Sequence, residues 1–238
     1  MVRVETVDYT VRGEQMVGHL AVDDSSTGPR PAVLVCHEGS GLDEHAKERA
    51  ERLAGLGYAA FALDYHGGGR RLERDQMMPR IQSLRTDVDW TRELAATGLS
   101  LLLERTPADP ARVAAIGYCF GGTMALELAR SGADIAAVVG FHSGLATNRP
   151  AVAGDVKAAV LVCIGADDPL VPPEQRAEFE QEMRTAGVDW RMNVYGGAMH
   201  SFTNPKADMP AQGIAYHRPT DERSWRAMLD FFDERFAL

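Results

Sequence analysis

The segment Val113-Ala-Ala-Ile-Gly-Tyr-Cys-Phe-Gly-Gly-Thr-Met-Ala-Leu-Glu-Leu-Ala-Arg130 decides the fold of this chain. Its first residues form a short apolar run, typical of a buried strand, and its last residues carry a helical pattern. Between them lies Gly117-Tyr-Cys119-Phe-Gly121, in which a cysteine has a glycine two residues away on each side. This spacing matches the nucleophile elbow, a strained strand-to-helix turn, with cysteine in place of the usual serine. The segment therefore predicts a strand, an elbow and a helix.

Cys119 has two interpretations on this segment alone. A free cysteine is most often a small buried hydrophobe, and two flanking glycines also arise by chance. The strand before the cysteine and the helix after it favour catalysis, because a helix start aims backbone N–H groups at the atom that a nucleophile attacks. Features elsewhere in the chain are needed to distinguish a buried packing residue from a catalytic nucleophile.

The composition limits the classes of function. The chain has 238 residues, and we expect one domain over residues 1–238 with a substantial core. A formal net charge of -9 argues against nucleic acid or an anionic membrane as a partner. The polar N-terminus lacks the apolar core of a signal peptide, and the cysteines number three, which favours free thiols. We expect a cytoplasmic monomer or small homo-oligomer that acts on a small molecule.

Strand and helix patterns alternate along the chain. An alternating apolar–polar pattern predicts an antiparallel hairpin at 3–11 and 15–22. Apolar runs predict buried strands at 32–36, 58–63, 112–116, 135–140, 158–164 and 190–195. Helical periodicity predicts helices at 44–56, 80–104 with a bend near Gly98, after the elbow, 172–186 and 224–236. This alternation predicts an α/β fold: a mostly parallel central sheet with the hairpin at its edge and helices on both faces.

Two loops at the carboxyl ends of strands carry candidate partners for Cys119, since functional loops gather at that edge of such a sheet. His200 follows the last strand and is the candidate base, although taken alone it also fits a surface loop. The candidate acid is Asp167 or Asp168, after the strand at 158–164. We favour Asp168 because its spacing places it on the tight turn that leaves the strand, while either aspartate also fits a loop cap.

The loop His37-Glu38-Gly39-Ser40-Gly41 follows the first buried strand and supplies further candidates. An oxyanion hole would combine the N–H of Phe120 with an N–H from this loop, for which Gly39 is the candidate. Glu38 would repel a developing negative charge. We therefore expect it to hydrogen-bond the Cys119 thiol and hold it neutral until substrate arrives. The alternative is a charged loop residue that faces water.

Together these segments resemble the dienelactone hydrolase family over nearly the whole chain. The resemblance rests on His37-Glu38-Gly39, Gly117-Tyr-Cys-Phe-Gly-Gly122, Gly165-x-x-Asp168-x-x-Val-Pro172 and His200-Ser-Phe202-x-Asn-Pro205. It implies an α/β-hydrolase fold, a Cys119–His200–Asp168 triad and control of the cysteine by Glu38. The activity it implies is cleavage of a small carboxylic ester or lactone, of the carboxymethylenebutenolidase type, through a thioacyl-enzyme intermediate. An acyltransferase or thioesterase with the same triad, or a binding protein on this scaffold, is the alternative.

The match weakens at substrate recognition. The resemblance implies arginines that hold a substrate carboxylate, and Arg80 is the candidate among the arginines between positions 70 and 85. Tyr118 and Phe202, with Met77, Met78 and Phe120, are candidates for an apolar wall of the pocket. We expect no cofactor and no metal, because His37-Glu38 and His45 lack the spacing of a helical zinc motif.

Overall fold

An eight-stranded sheet runs through the molecule in the computed structural model, which describes residues 1–25 and 28–237. Its strands are β1 (Val2–Val11), β2 (Glu14–Asp23), β3 (Arg30–Cys36), β4 (Ala59–Leu63), β5 (Ala108–Tyr118), β6 (Ala137–Phe141), β7 (Ala159–Gly165) and β8 (Trp190–Tyr195). They lie in the order β1-β2-β4-β3-β5-β6-β7-β8. β1 pairs with β2 and β2 with β4 in antiparallel fashion, and the other neighbours are parallel. The predicted mostly parallel sheet with a hairpin at its edge is confirmed.

Helices cover both faces of this sheet, as predicted. They are α1 (Glu44–Gly55), α2 (Arg74–Thr86), α3 (Val88–Arg105), α4 (Phe120–Arg130), α5 (Pro173–Ala186) and α6 (Arg218–Phe236). Successive residues of β3 point to opposite faces, so Leu34 joins the core under α2 to α5, while Val33 and Val35 join the core under α1 and α6. Within the described ranges, no helix is both long enough and apolar enough to cross a membrane.

The region before β5 departs from the sequence prediction. The helix predicted at 80–104 is two helices, and the break lies at Asp87 and not near Gly98. The Asp87 carboxylate accepts the N–H of Trp90 at 2.9 Å, which caps α3 at its start. Gly98 lies inside α3, where a Cβ would be 3.1 Å from the side chains of Leu34 and Leu63. A close approach of helix to sheet, and not a bend, therefore explains this glycine.

Backbone contacts at the elbow explain why glycine flanks Cys119. Cys119 has φ 55° and ψ -120°, a strained conformation that turns the chain from β5 directly into α4. A Cβ on Gly117 would be 2.1 Å from the carbonyl oxygen of Gly121, and one on Gly121 would be 2.2 Å from that of His37. Any larger residue would push α4 away from the ends of β3 and β5. The predicted strand–elbow–helix unit is thus formed.

A short ribbon that the sequence pattern does not predict lies beyond β8. Its strands are β9 (Asp208–Met209) and β10 (Ile214–Ala215), joined by a turn of 3-10 helix. The N–H of His200 donates to the carbonyl of Gly213 at 2.9 Å, and the N–H of Ala215 donates to the carbonyl of His200 at 3.0 Å. The ribbon therefore holds the backbone of His200 on both sides.

Candidate active site

His200 and Asp168 meet at the carboxyl edge of the sheet, in the turns that follow β8 and β7. Nδ1 of His200 donates to Oδ2 of Asp168 at 2.8 Å, and both side chains are buried. The other oxygen, Oδ1, accepts the N–H of Leu170 at 2.8 Å. Asp167 is exposed. Of the two candidate aspartates the structure therefore brings only Asp168 to the histidine, and this contact fixes the imidazole with Nε2 free to take a proton.

The Nε2 atom of His200 faces the elbow. It is buried and makes no hydrogen bond of ordinary geometry among the described residues, and His200 lines the same cavity as Cys119. Burial by itself lowers the pKa of His200, but the charge of a Cys119 thiolate and hydrogen bonding to Asp168 and to that thiolate outweigh it and raise the pKa to about 10. The raised pKa favours the imidazolium form of His200 beside the thiol, and a neighbouring imidazolium is a group that can activate a cysteine nucleophile.

Cys119 differs from the other two cysteines in accessibility. Cys36 and Cys163 are buried in β3 and β7, and burial raises the pKa of both thiols. Cys119 is half-buried and lines the cavity. It is therefore the thiol that a substrate can reach, and Cys36 and Cys163 are packing residues.

Phe120 and Gly39 lie beside Cys119 in the lining of the cavity. Phe120 is the first residue of α4, so its N–H belongs to the unpaired first turn of that helix. The carbonyl of Gly39 accepts a hydrogen bond from Nε2 of His66 at 2.7 Å, which fixes the loop after β3. A Cβ on Gly39 would lie 2.7 Å from Cδ1, the end of the Ile81 side chain, so a larger residue here would displace Ile81 in the cavity wall. Both residues thus lie in the lining beside Cys119, and their role in an oxyanion hole stays a prediction.

Glu38 is buried rather than facing water, and its partner is not the one predicted. Its Oε2 accepts a hydrogen bond from Nδ2 of Asn204, and Ser201 also hydrogen-bonds it. Burial raises the pKa of Glu38, against the effect of these two bonds and of the His200 charge. No hydrogen bond joins Glu38 to Cys119 within the described ranges, so the predicted thiol contact is not formed in this structure. The amide of Asn204, in the turn after β8, is a stronger hydrogen-bond donor than the thiol of Cys119.

A cavity of about 990 Å³ opens above Cys119 and His200. α2 forms one wall and the β9–β10 ribbon another, and Nη1 of Arg74 lies 3.5 Å from Oε1 of Gln212 between them. The lining combines large apolar side chains with charged and polar ones, as expected for a small-molecule site. Its large apolar residues are Leu72, Met77, Met78, Ile81, Leu84, Val88, Phe120, Leu170, Met209 and Ile214.

Three residues predicted to touch substrate lie outside this cavity. Arg80 pairs with Glu14 at 2.7 Å, lies over the ring of Trp90, and lines a separate surface pocket beside β2. Tyr118 and Phe202 are fully buried. Tyr118 precedes the nucleophile on β5, and alternation along the strand sends its side chain to the α1 face of the sheet. These predictions are corrected, whereas Met77, Met78 and Phe120 line the cavity as expected.

Two residues near the reacting atoms had no assigned role in the sequence. Asn204, which binds Glu38, lies one turn after His200, and only its place in the His200–Pro205 motif pointed to it. His142, directly after β6, is fully buried and is absent from the cavity lining. Its Nδ1 accepts the N–H of Cys119 at 3.2 Å.

A nucleophile position on the turn after the fifth strand, with an aspartate and then a histidine on later turns, is the arrangement of the α/β-hydrolase fold. Within that class the chain belongs to the dienelactone hydrolase family, whose model matches residues 16–236. The solved structure of m3DLH is 47% identical over 99% of both chains, with a TM-score of 0.94. The dienelactone hydrolase-like promiscuous phosphotriesterase P91, from metagenomic libraries, is 42% identical over 98% of both chains, with a TM-score of 0.92.

A Yersinia pestis protein, provisionally named carboxymethylenebutenolidase, is 28% identical over 94% of this chain and 85% of its own length. The family and these relatives agree with the site geometry. The chain is an enzyme, a hydrolase of the ester- and lactone-cleaving kind.

Proposed function

We propose that this enzyme cleaves a small carboxylic ester or lactone through a thioacyl intermediate on Cys119. The observation that carries the proposal is the 2.8 Å bond between His200 and Asp168, which leaves a free imidazole nitrogen beside the reachable thiol. The dienelactone hydrolase family and the name of the Yersinia pestis relative support the same substrate class.

Each step of the reaction has a residue to perform it. Nε2 of His200 takes the thiol proton, and the thiolate of Cys119 attacks the carbonyl carbon. The N–H groups of Phe120 and Gly39 receive the oxyanion, and the C–O bond breaks as the imidazolium gives its proton to the leaving oxygen. A water then loses a proton to Nε2 and attacks the thioester. The carboxylic acid leaves, and Cys119 regains its proton from the imidazolium.

The nucleophile itself favours esters over amides. A thiolate is a good leaving group, so the tetrahedral intermediate expels it readily when the competing leaving group is an amine. An alkoxide or enolate is expelled in preference to the thiolate more often than an amine is, particularly when His200 protonates the leaving oxygen. Esters and lactones therefore proceed to the thioacyl enzyme more readily than amides do.

Intact-mass spectrometry after acid quench tests the intermediate directly. With an activated ester, we expect the protein mass to rise by one acyl group, located on the peptide that contains Cys119. Transfer of that group to water identifies a hydrolase, and transfer to an added alcohol or thiol identifies an acyltransferase. Turnover without any adduct, even when rapid mixing resolves single turnovers, would contradict the thioacyl mechanism.

Phosphotriester cleavage is a second candidate, because the similar protein P91 is a promiscuous phosphotriesterase. The same thiolate would attack phosphorus and release one alkoxide, so a phosphotriester would leave a phosphoryl group on Cys119. The intact-mass experiment separates the two candidates by the mass of the adduct.

Arg85 is the cation that we propose holds an anionic group on the substrate. It lies on α2 in the cavity lining, 5.8 Å above the ring of Phe120, and has no carboxylate partner in the described part of the chain. We expect Arg85→Gln to raise KM for an anionic ester by about tenfold, the loss of one charge-assisted hydrogen bond. A neutral ester of the same size should be unaffected in KM.

The matched control is Arg80→Gln, which removes the same charge from the same helix outside the cavity. It should leave the ratio of KM values for the anionic and neutral esters unchanged. A changed ratio in Arg80→Gln, with none in Arg85→Gln, would reverse the assignment.

A further inference from the structure

His142 connects the nucleophile elbow with the turn that carries His200. It follows β6 with φ 41°, and its side chain is fully buried between these two segments. Nδ1 lies 3.2 Å from the backbone nitrogen of Cys119, and Nε2 lies 2.8 Å from Oγ1 of Thr203. One imidazole therefore spans two loops that belong to different strands of the sheet.

These partners allow only one protonation state of His142. The Cys119 N–H is shared between the carbonyl of Phe141 at 3.1 Å and Nδ1 of His142 at 3.2 Å. A backbone N–H can only donate, so Nδ1 is bare and Nε2 carries the proton that is donated to Thr203. Burial and the positive charges of His200, His45 and Arg49 lower the pKa of His142 well below its ordinary value. Glu38 also faces the ring, with Oε1 4.0 Å from Nε2. The ring is neutral, so it does not oppose the formation of an imidazolium at His200.

Thr203 is held from its other side as well. Nη2 of Arg49 donates to the carbonyl of Thr203 at 2.7 Å and to Asp221 at 2.8 Å, and all three residues are buried. Thr203 lies three residues after His200 and directly before Asn204, the partner of Glu38. The His142 ring also packs edge-on against the ring of His200, with 5.1 Å between centroids. A displacement of Thr203 would therefore be passed on to both His200 and Glu38.

We propose that His142 is a positioning residue that fixes the Cys119 elbow relative to the His200 turn. This inference rests on the proposed function, because it assigns His142 to the geometry between nucleophile and base. His142 touches no substrate, since it is absent from the cavity lining. Its loss should lower kcat and the reactivity of the thiol, with little effect on KM.

Two variants break the link through different partners. His142→Asn suits a positive φ and keeps an acceptor near the Cys119 N–H, but it is too short to reach Thr203. Thr203→Val keeps the shape of the side chain and removes the acceptor. Thr203→Ser restores the hydroxyl, and Ser143→Ala alters a buried neighbour whose hydroxyl donates to the carbonyl of Phe141 at 3.4 Å.

The rate of Cys119 alkylation by iodoacetamide, measured across pH, is the readout. In His142→Asn and Thr203→Val we expect the pH of half-maximal alkylation to rise by roughly half a unit to one unit, because the thiolate loses part of the attraction of His200. For an activated ester, kcat should fall about tenfold with KM almost unchanged. Thr203→Ser and Ser143→Ala should follow the wild type in both measurements.

Thermal unfolding of each variant separates positioning from plain stability. Folded His142→Asn and Thr203→Val proteins whose alkylation profiles match that of Ser143→Ala would overturn the inference. If one variant does not fold, the other variant tests the inference. The alkylation profile does not depend on ester turnover. If the proposed reaction is wrong, ester turnover fails to match it; if the role of His142 is wrong, the alkylation profile stays unchanged.

Discussion

Cys119→Ala is expected to lower kcat for an activated ester by about 10⁴-fold or more while the protein stays folded, as when a triad nucleophile is removed. The buried thiols of Cys36 and Cys163 cannot replace it. Alanine at φ 55° bears the same backbone strain as cysteine, so the elbow should persist. Initial rates measure the activity, and thermal unfolding together with circular dichroism measures the fold.

The control for this substitution is Cys163→Ala, which removes a buried thiol from β7 without touching the cavity. We expect it to retain turnover and to lower the free energy of unfolding by about 1 kcal/mol, because a small cavity forms in the core. Undiminished turnover in Cys119→Ala would show that another group performs the chemistry, and the thioacyl mechanism would be withdrawn.

The sequence was most informative where structure is determined locally or by topology. The elbow could be predicted from two glycines, because a Cβ on Gly117 or Gly121 would come within 2.1 or 2.2 Å of a backbone oxygen, which leaves no room for another residue. His200 and Asp168 could be paired because parallel strands bring their carboxyl ends to one edge of the sheet. The prediction that Tyr118 lines the pocket is wrong, and strand alternation from Cys119 already places its side chain on the opposite face of the sheet.

Long-range contacts account for the residues that could not be predicted. The direction of the Arg80 side chain depends on Glu14 in β2 and on the ring of Trp90 in α3. The local sequence around Arg80 does not show that these two residues lie beside it. The partner of Glu38 is Asn204, which lies 166 residues further along the chain. The position of the helix break depends on the cap at Asp87, which outweighs the flexibility of Gly98.

His142 belongs to the same group of long-range effects. In the sequence it is a histidine at a strand end, and its role arises only when Thr203 is folded against it. Its charge state depends first on burial and then on the charges of His200, His45 and Arg49, the last two of which lie on α1. A histidine at a strand end therefore has to be judged by its partners, since one ring supports bases, ligands and structural links alike.

Asp168→Asn is expected to reduce kcat by roughly 10³- to 10⁴-fold with little change in KM, the effect known for the equivalent aspartate of serine-type triads. The amide can still accept the N–H of Leu170, so the turn after β7 should keep its shape. The NH₂ group of the new asparagine then faces Nδ1 of His200. Because an NH₂ group donates, Nδ1 has to accept, and the imidazole proton moves to Nε2. The imidazole then faces the thiol as a donor and cannot act as a base.

The pH dependence of Cys119 alkylation in the Asp168→Asn variant is a second test of the hydrogen bond between His200 and Asp168. The hydrogen bond that His200 donates to Asp168 is one of the causes that raise the pKa of His200, so its loss lowers that pKa. The imidazolium then loses its proton at a lower pH, and the thiolate is without its counter-charge over more of the neutral range. Alkylation of Cys119 should accordingly need a higher pH in Asp168→Asn than in the wild type.

Asp167→Asn is the matched control, because it changes the same chemistry one residue away on an exposed side chain. It should keep both the wild-type kcat and the wild-type alkylation profile. If Asp167→Asn lost activity while Asp168→Asn kept it, the orienting acid would be the wrong one of the two. If both kept it, His200 would be held by its backbone bonds to Gly213 and Ala215, and the reaction would need no carboxylate behind the base.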